Sequence, residues 1–251
     1  MTGPTPLAAR RPPSAVLRLT LGLLAGFALF QWTAAALGSD RGQAGVVVAA
    51  LIVLAMLGVE RVLFGQPPRV AAHRLGLGWP AARGVLCAVV VGVALLAVIP
   101  VHIAVTGAPW SPYPRWPWLL PGLFAQAGIA EEVLFRGYLF RHVRDGRPFW
   151  RAALLAMVPF VAVHLLLLLT LPWPLALASI ALAAAMSFPL AYLFELGGRT
   201  IWAPAVVHFV AQGAIKVVVV PGEPGQHLPF VWIAACAVVP WVVFVVRRNG
   251  V

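Results

Sequence analysis

Eight apolar runs of roughly membrane-crossing length dominate this chain: 15–38, 44–64, 84–106, 118–143, 150–171, 174–196, 201–220 and 229–246. About 20 helical residues cross the hydrocarbon of a bilayer. In lipid no water satisfies exposed N–H and C=O groups, so only helices or closed barrels can span it. The runs therefore predict an all-α, polytopic transmembrane helix bundle of about eight spans. Charge usage agrees, because only 10% of the residues are charged, against about a quarter in a soluble domain.

The arginines orient this bundle. Arg10, Arg11 and Arg18 flank the first run; Arg61, Arg69, Arg74 and Arg83 lie between the second and third; Arg141, Arg144, Arg147 and Arg151 between the fourth and fifth. Arg199 precedes the seventh, and Arg247 and Arg248 follow the eighth, whereas the alternate loops hold only Arg41 and Arg115. Alternation of basic and non-basic loops is what the positive-inside rule produces, and it puts both termini in the cytoplasm. The formal net charge of +11 is thus spread over loops, which argues against a nucleic-acid partner. Residues 1–14 read as a Pro- and Arg-rich cytoplasmic tail, and 15–251 as one transmembrane domain. The first run is too long for a removed signal peptide and lacks a small-residue cleavage site. Within it, Gly22 and Gly26 form a GxxxG pair that lets a neighbouring helix approach. The sixth run is rich in alanine, which predicts tight packing inside the bundle. Cys87 and Cys236 stand isolated in apolar runs and read as small packing residues.

Against this background, the stretch AEEVLFRGYLF at 130–140 stands out, because only 7 of 251 residues are acidic and two of them are adjacent here. An ionisable group inside a membrane costs at least about 2.5–3.5 kcal/mol on insertion scales, so it faces the protein interior and serves a function. On a helix, Glu132 and Arg136 are one turn apart and neutralise each other. Glu131 is rotated by about 100° and has no partner along its own helix, which leaves it free for chemistry.

Few other ionisable groups lie well inside the runs: His102, His164, His208 and Lys216. Depth follows from the nearest arginine of the basic loops at about 1.5 Å per residue. Glu131 lies roughly 15 Å from Arg141, His164 roughly 20 Å from Arg151, and His208 roughly 14 Å from Arg199. Three polar groups from three helices thus share one level, where they can surround a water molecule. His102 and Lys216 lie further out and do not join them. A carboxylate beside an apolar wall can act as a general base on water. Two imidazoles can orient that water, stabilise an oxyanion, or bind a metal.

The residues Glu131-Glu132-Val-Leu-Phe135-Arg136-Gly137 resemble the EExxxRG motif of the CPBP intramembrane proteases, the CAAX-processing and bacteriocin-processing (Abi) family. Phe160-Val-Ala-Val-His164 resembles that family's FxxxH motif, and His208-Phe-Val-Ala-Gln212 its HxxxN motif. The resemblance covers roughly 118–220, the expected catalytic core. It implies that Glu131 activates water, that His164 and His208 position it, and that Glu132 and Arg136 shape the site. Gln212 departs from the family pattern, because it stands where the family has asparagine; it keeps the amide donor and adds a methylene. Family usage of metal is argued both ways: zinc would take Glu131, His164 and His208, but the ion-paired second Glu and the lack of an HExxH pair favour a metal-free, glutamate-dependent reaction. The expected protein is an endopeptidase of a bacterial cytoplasmic membrane, acting on a membrane-associated peptide or protein, with its site opening toward the cytoplasmic half. The alternative is a non-catalytic immunity or scaffold protein of the same fold. A proton-coupled transporter would require an inverted repeat, which the sequence does not show.

Overall fold

The computed structural model describes residues 13–38 and 40–246. Residues 1–12 of the expected tail, the four terminal arginines and the placement of both termini lie outside these residues, while residues 13 and 14 of that tail belong to the first helix.

The chain is an all-α, multi-pass membrane bundle. Helix α1 (Pro13–Ala36) is followed by α2 (Arg41–Phe64), capped at its start by the Asp40 side chain, which accepts from the Gly42 N–H at 3.1 Å. Gly65, at φ 67°, ends α2 in the left-handed conformation that glycine adopts without a Cβ clash. A short α3 (Pro68–Arg74) leads to α4 (Ala82–Leu96), which continues as α5 (Val98–Thr106). One unbroken helical segment then carries the acidic pair. It begins as α6 (Trp116–Leu123), widens to π-helical turns over Phe124–Ala130 and again over Val133–Phe140, and closes as α7 (Arg141–Arg144). Wide turns of this kind concentrate at functional sites. After it come α8 (Phe149–His164), a 3₁₀ stretch (Leu165–Leu169), α9 (Trp173–Leu196), α10 (Trp202–Gly213) with a 3₁₀ turn (Ala214–Val217), and α11 (Glu223–Val238), tightening to 3₁₀ over Val239–Val245.

Six helices are long and apolar enough to cross a membrane: Ser14–Ala36, Gly42–Phe64, Ala82–Thr106, Phe149–Leu169, Trp173–Leu196 and Glu223–Val245. The other two expected spans, 118–143 and 201–220, are also helical but differ from these six. The first carries the charged motif. The second has only 12 α-helical residues, roughly 18 Å at 1.5 Å each, against a hydrocarbon core of about 30 Å. Its last part is the 3₁₀ turn and a strand, β2 (Val218–Val219), paired antiparallel with β1 (Ser111–Pro112).

Packing follows the small residues. Half of the α9 window lies buried, more than in any other of the six helices, as its alanines predict. A Cβ at Gly22 would collide with the Tyr138 hydroxyl, and one at Gly26 would meet Met56 Sδ and Leu134 Cδ1 at 2.7 and 2.8 Å, so α1 rests against α2 and the acidic helix through the GxxxG pair. Gly137 permits a similar approach, since a Cβ there would strike the Leu75 carbonyl. Cys236 is buried and Cys87 partly so; both are free thiols. Trp110, Trp116, Trp118, Trp150 and Trp173 are largely exposed, consistent with an interfacial belt. Trp202 instead donates its indole N–H to the Gly78 carbonyl at 2.8 Å.

The bundle has two chemically distinct ends. At one, Arg74 pairs with Asp145 at 3.1 Å, Arg144 with Glu195 at 2.5 Å, and Arg141 and Arg199 line one small cleft. At the other, Asp40 pairs with Arg115, and the 107–115 loop is tied to the chain after α10. Near the arginine-rich end, Glu60 accepts from His142 Nε2 at 2.7 Å, both fully or almost fully buried, with Phe64 packed against the imidazole at 4.2 Å.

Candidate active site

Glu132 is fully buried, and its Oε1 is the junction of the site. Arg136 Nη1 reaches it at 2.9 Å along the same helix, as the four-residue spacing predicts. From α10, His208 Nδ1 reaches the same oxygen at 2.6 Å. A carboxylate oxygen only accepts, so Nδ1 carries the proton. Its other ring nitrogen, Nε2, lies 3.1 Å from the side-chain nitrogen of Gln212 one turn later. The same nitrogen of Gln212 lies 3.5 Å from Glu131 Oε1. The Glu131 oxygen is an acceptor, which identifies that Gln212 atom as the NH₂.

Glu131 stands differently. Its side chain is 13% exposed, lines a cavity, and has Oε2 3.7 Å from His208 Nε2. One acid is therefore held by a buried cation and an imidazole, while its neighbour faces the open space, as the sequence predicts. His164, at the end of α8, lines the same cavity and donates Nδ1–H to the Phe160 carbonyl at 2.7 Å. Its available nitrogen is Nε2. No hydrogen bond joins His164 to Glu131 among the described residues, so the shared cavity wall is what brings them together.

Phe160 organises this wall. Its ring lies 4.4 Å from the Arg136 guanidinium, 4.7 Å from the His164 ring and 4.8 Å from Phe135. A cation stacked on an aromatic face is stabilised in a site that water does not reach. Arg136 is thus held both by Glu132 and by the helix that supplies His164.

The cavity is about 570 Å³, within the range of small-molecule and peptide sites. It runs from Glu131 past Phe30 and Leu167 to Lys216 and Pro229. These outer residues belong to the arginine-poor end, so the expected opening toward the arginine-rich half is corrected. Lys216, expected to stand apart from the polar group, lines the same cavity; His102 remains outside it and bonds the Pro224 carbonyl at 3.1 Å.

Zinc would need three ligands and an open position. Among the described residues no three His, Cys, Asp or Glu side chains are grouped to hold a metal ion. His208 shows why: Glu132 takes one ring nitrogen and Gln212 the other. The Glu131, His164 and His208 set does not fit zinc in this arrangement.

Compared with known families, residues 113–214 match the model of the type II CAAX prenyl endopeptidase Rce1-like proteins. Over that segment the chain is similar to the Rce1-like family. No curated protein matches the chain. The Rce1-like segment contains α6 through α10, and with them every side chain of the acid–imidazole network. That family is one of endopeptidases, and the matched segment of this multi-pass membrane bundle is what the chain shares with it. Sequence reasoning missed Glu60 and His142, because each sits beside an arginine and reads as part of a basic loop.

Proposed function

We propose that the protein is a glutamate-dependent intramembrane endopeptidase of a bacterial cytoplasmic membrane, with Glu131 as the general base. The observation that carries this reading is the division between the two acids. Glu132 is fixed by Arg136 and His208 Nδ1, whereas Glu131 lines the cavity beside Gln212 and His208 Nε2.

The chemistry follows from those positions. Glu131 takes a proton from a water molecule in the cavity, and the water oxygen bonds to the scissile carbonyl carbon. The carbonyl π pair moves onto oxygen, where the Gln212 NH₂ donates to it; collapse breaks the C–N bond. Glu131 then returns its proton to the leaving amine, so no net proton is consumed in the cleavage itself. His164 Nε2 holds the attacking water by accepting its second hydrogen. Apolar walls keep the local dielectric low, which strengthens each of these interactions. No step uses a metal.

The test is cleavage of a library of apolar peptides by the purified protein in lipid nanodiscs. His164→Ala should lower the rate about 10²-fold, as loss of one positioned polar group does elsewhere. Exhaustive chelation should leave the wild-type rate unchanged. A rate abolished by chelation and restored by zinc would replace this mechanism with a metal-dependent one. Failure of the wild type to cut any library member would support the non-catalytic immunity or scaffold role.

A further inference from the structure

The small cleft at the arginine-rich end has a volume of about 110 Å³ and shares no lining residue with the cavity that holds Glu131. Two segments distant in sequence build it: α7 with the loop after it, and the end of α9 with the turn beyond. Phe140 and Phe194 contribute its apolar part, both buried, with ring centroids 6.0 Å apart and edge to face. The turn after α9 is closed by the Arg199 N–H, which donates to the Phe194 carbonyl at 2.8 Å. Arg199 has φ 61° and is the only non-glycine with positive φ among the described residues. A side chain rarely adopts that conformation, so the turn fixes where this arginine leaves the backbone.

Charge around this cleft is unbalanced. Arg144 pairs with Glu195 at 2.5 Å, and Arg74 with Asp145 at 3.1 Å. Arg141 and Arg199 line the same cleft, yet neither forms an ion pair among the described residues. Arg141 Nε and Nη1 are covered and have no hydrogen-bond partner among the described residues either. Covered donors of a charged group are seldom left so, because their lost hydration is not repaid. A turn of that one side chain presents them to the cleft. Retaining positive charge on one side of a membrane needs only arginines in loops. It does not call for two guanidinium groups bordering one cleft, where they repel each other.

We infer that this cleft binds a phosphate group, with Arg141 and Arg199 as its two guanidinium donors. Forks from two different elements suit a tetrahedral anion, whose oxygens accept from several directions. The volume of about 110 Å³ exceeds that of three water molecules at about 30 Å³ each, which is room for one such group. Two sources can supply it: an anionic lipid headgroup or free phosphate. Position favours the headgroup. Trp79 is 98% exposed and lies two residues before Ala81, whose N–H donates to the Gly197 carbonyl at 3.0 Å, in the turn that carries Arg199. An exposed indole marks the headgroup level, and basic pockets between spans hold lipid phosphates there. The site stands independently of the cleavage reaction.

The test titrates the full chain, in non-ionic detergent, with phosphatidylglycerol or phosphatidylcholine and counts bound lipid by native mass spectrometry. Phosphatidylglycerol should bind about tenfold more tightly, the size of one charge-assisted contact. Arg141→Gln combined with Arg199→Gln should remove that preference and leave phosphatidylcholine binding unchanged. Arg199→Gln alone, on an exposed side chain, should lower the preference without moving the thermal midpoint, so the result does not depend on the double variant folding. Arg69→Gln removes a charge from the same end outside the cleft and should change nothing. Displacement of phosphatidylglycerol by inorganic phosphate, but not by chloride at equal ionic strength, assigns the site to free phosphate. Retention of the lipid assigns it to the headgroup, and both results keep the site. Equal binding of the two lipids by the wild type, an undiminished preference in Arg199→Gln, or an equal loss of preference in Arg69→Gln overturns it.

Discussion

Glu131→Gln is expected to lower kcat by about 10²–10⁴-fold, the range that positioned general bases supply, while leaving the thermal midpoint nearly unchanged. Glutamine has the same shape and can stay beside Gln212, but it cannot take a proton from water. Because Glu131 is 13% exposed and has no buried cation of its own, losing its charge strands nothing. Peptide affinity should be retained, so the loss should appear in kcat and not in KM. Measured with a library peptide that the wild type cuts, full activity in this variant would remove Glu131 from the reaction. An equal loss of stability would instead make it a structural group.

The expectation could be drawn before any coordinates because both acids sit on one helix. Spacing alone assigned Arg136 to Glu132, and the wider π turns did not disturb that pair at 2.9 Å. Counting residues from the arginines placed His208 at the level of the acids, and α10 does bring it there. What spacing could not supply were contacts made by packing between distant segments. Glu60 and His142 are 82 residues apart and meet only because α2 lies against the acidic helix. The role of Gln212 was open for the same reason. Its amide reaches both His208 and Glu131 because α10 crosses close to the π-helical turns. The direction of the cavity was also hidden. It depends on the arrangement of α1, α8 and α9 around Glu131, and hydropathy along the chain carries no trace of which helices stand apart.

Glu132→Ala should behave in the opposite way, with a stability loss of about 3–5 kcal/mol, the cost of stranding a buried charge. Arg136 would keep its guanidinium under the Phe160 ring with no carboxylate, at 4% exposure. His208 would lose the acceptor that fixes its proton on Nδ1. Its proton could then move to Nε2, turning the nitrogen nearest Glu131 from acceptor to donor. A second variant separates the two losses. In Glu132→Leu with Arg136→Met, the charge pair is replaced by apolar groups of similar volume, an exchange that is often close to neutral. Thermal unfolding in detergent should therefore show most of the lost stability regained in the double variant. Cleavage should stay at least about 10²-fold down, because His208 still lacks its orienting acceptor. Recovery of both would show that Glu132 serves only to neutralise Arg136. Recovery of neither would mean that the apolar pair does not pack between α10 and the helix that carries it.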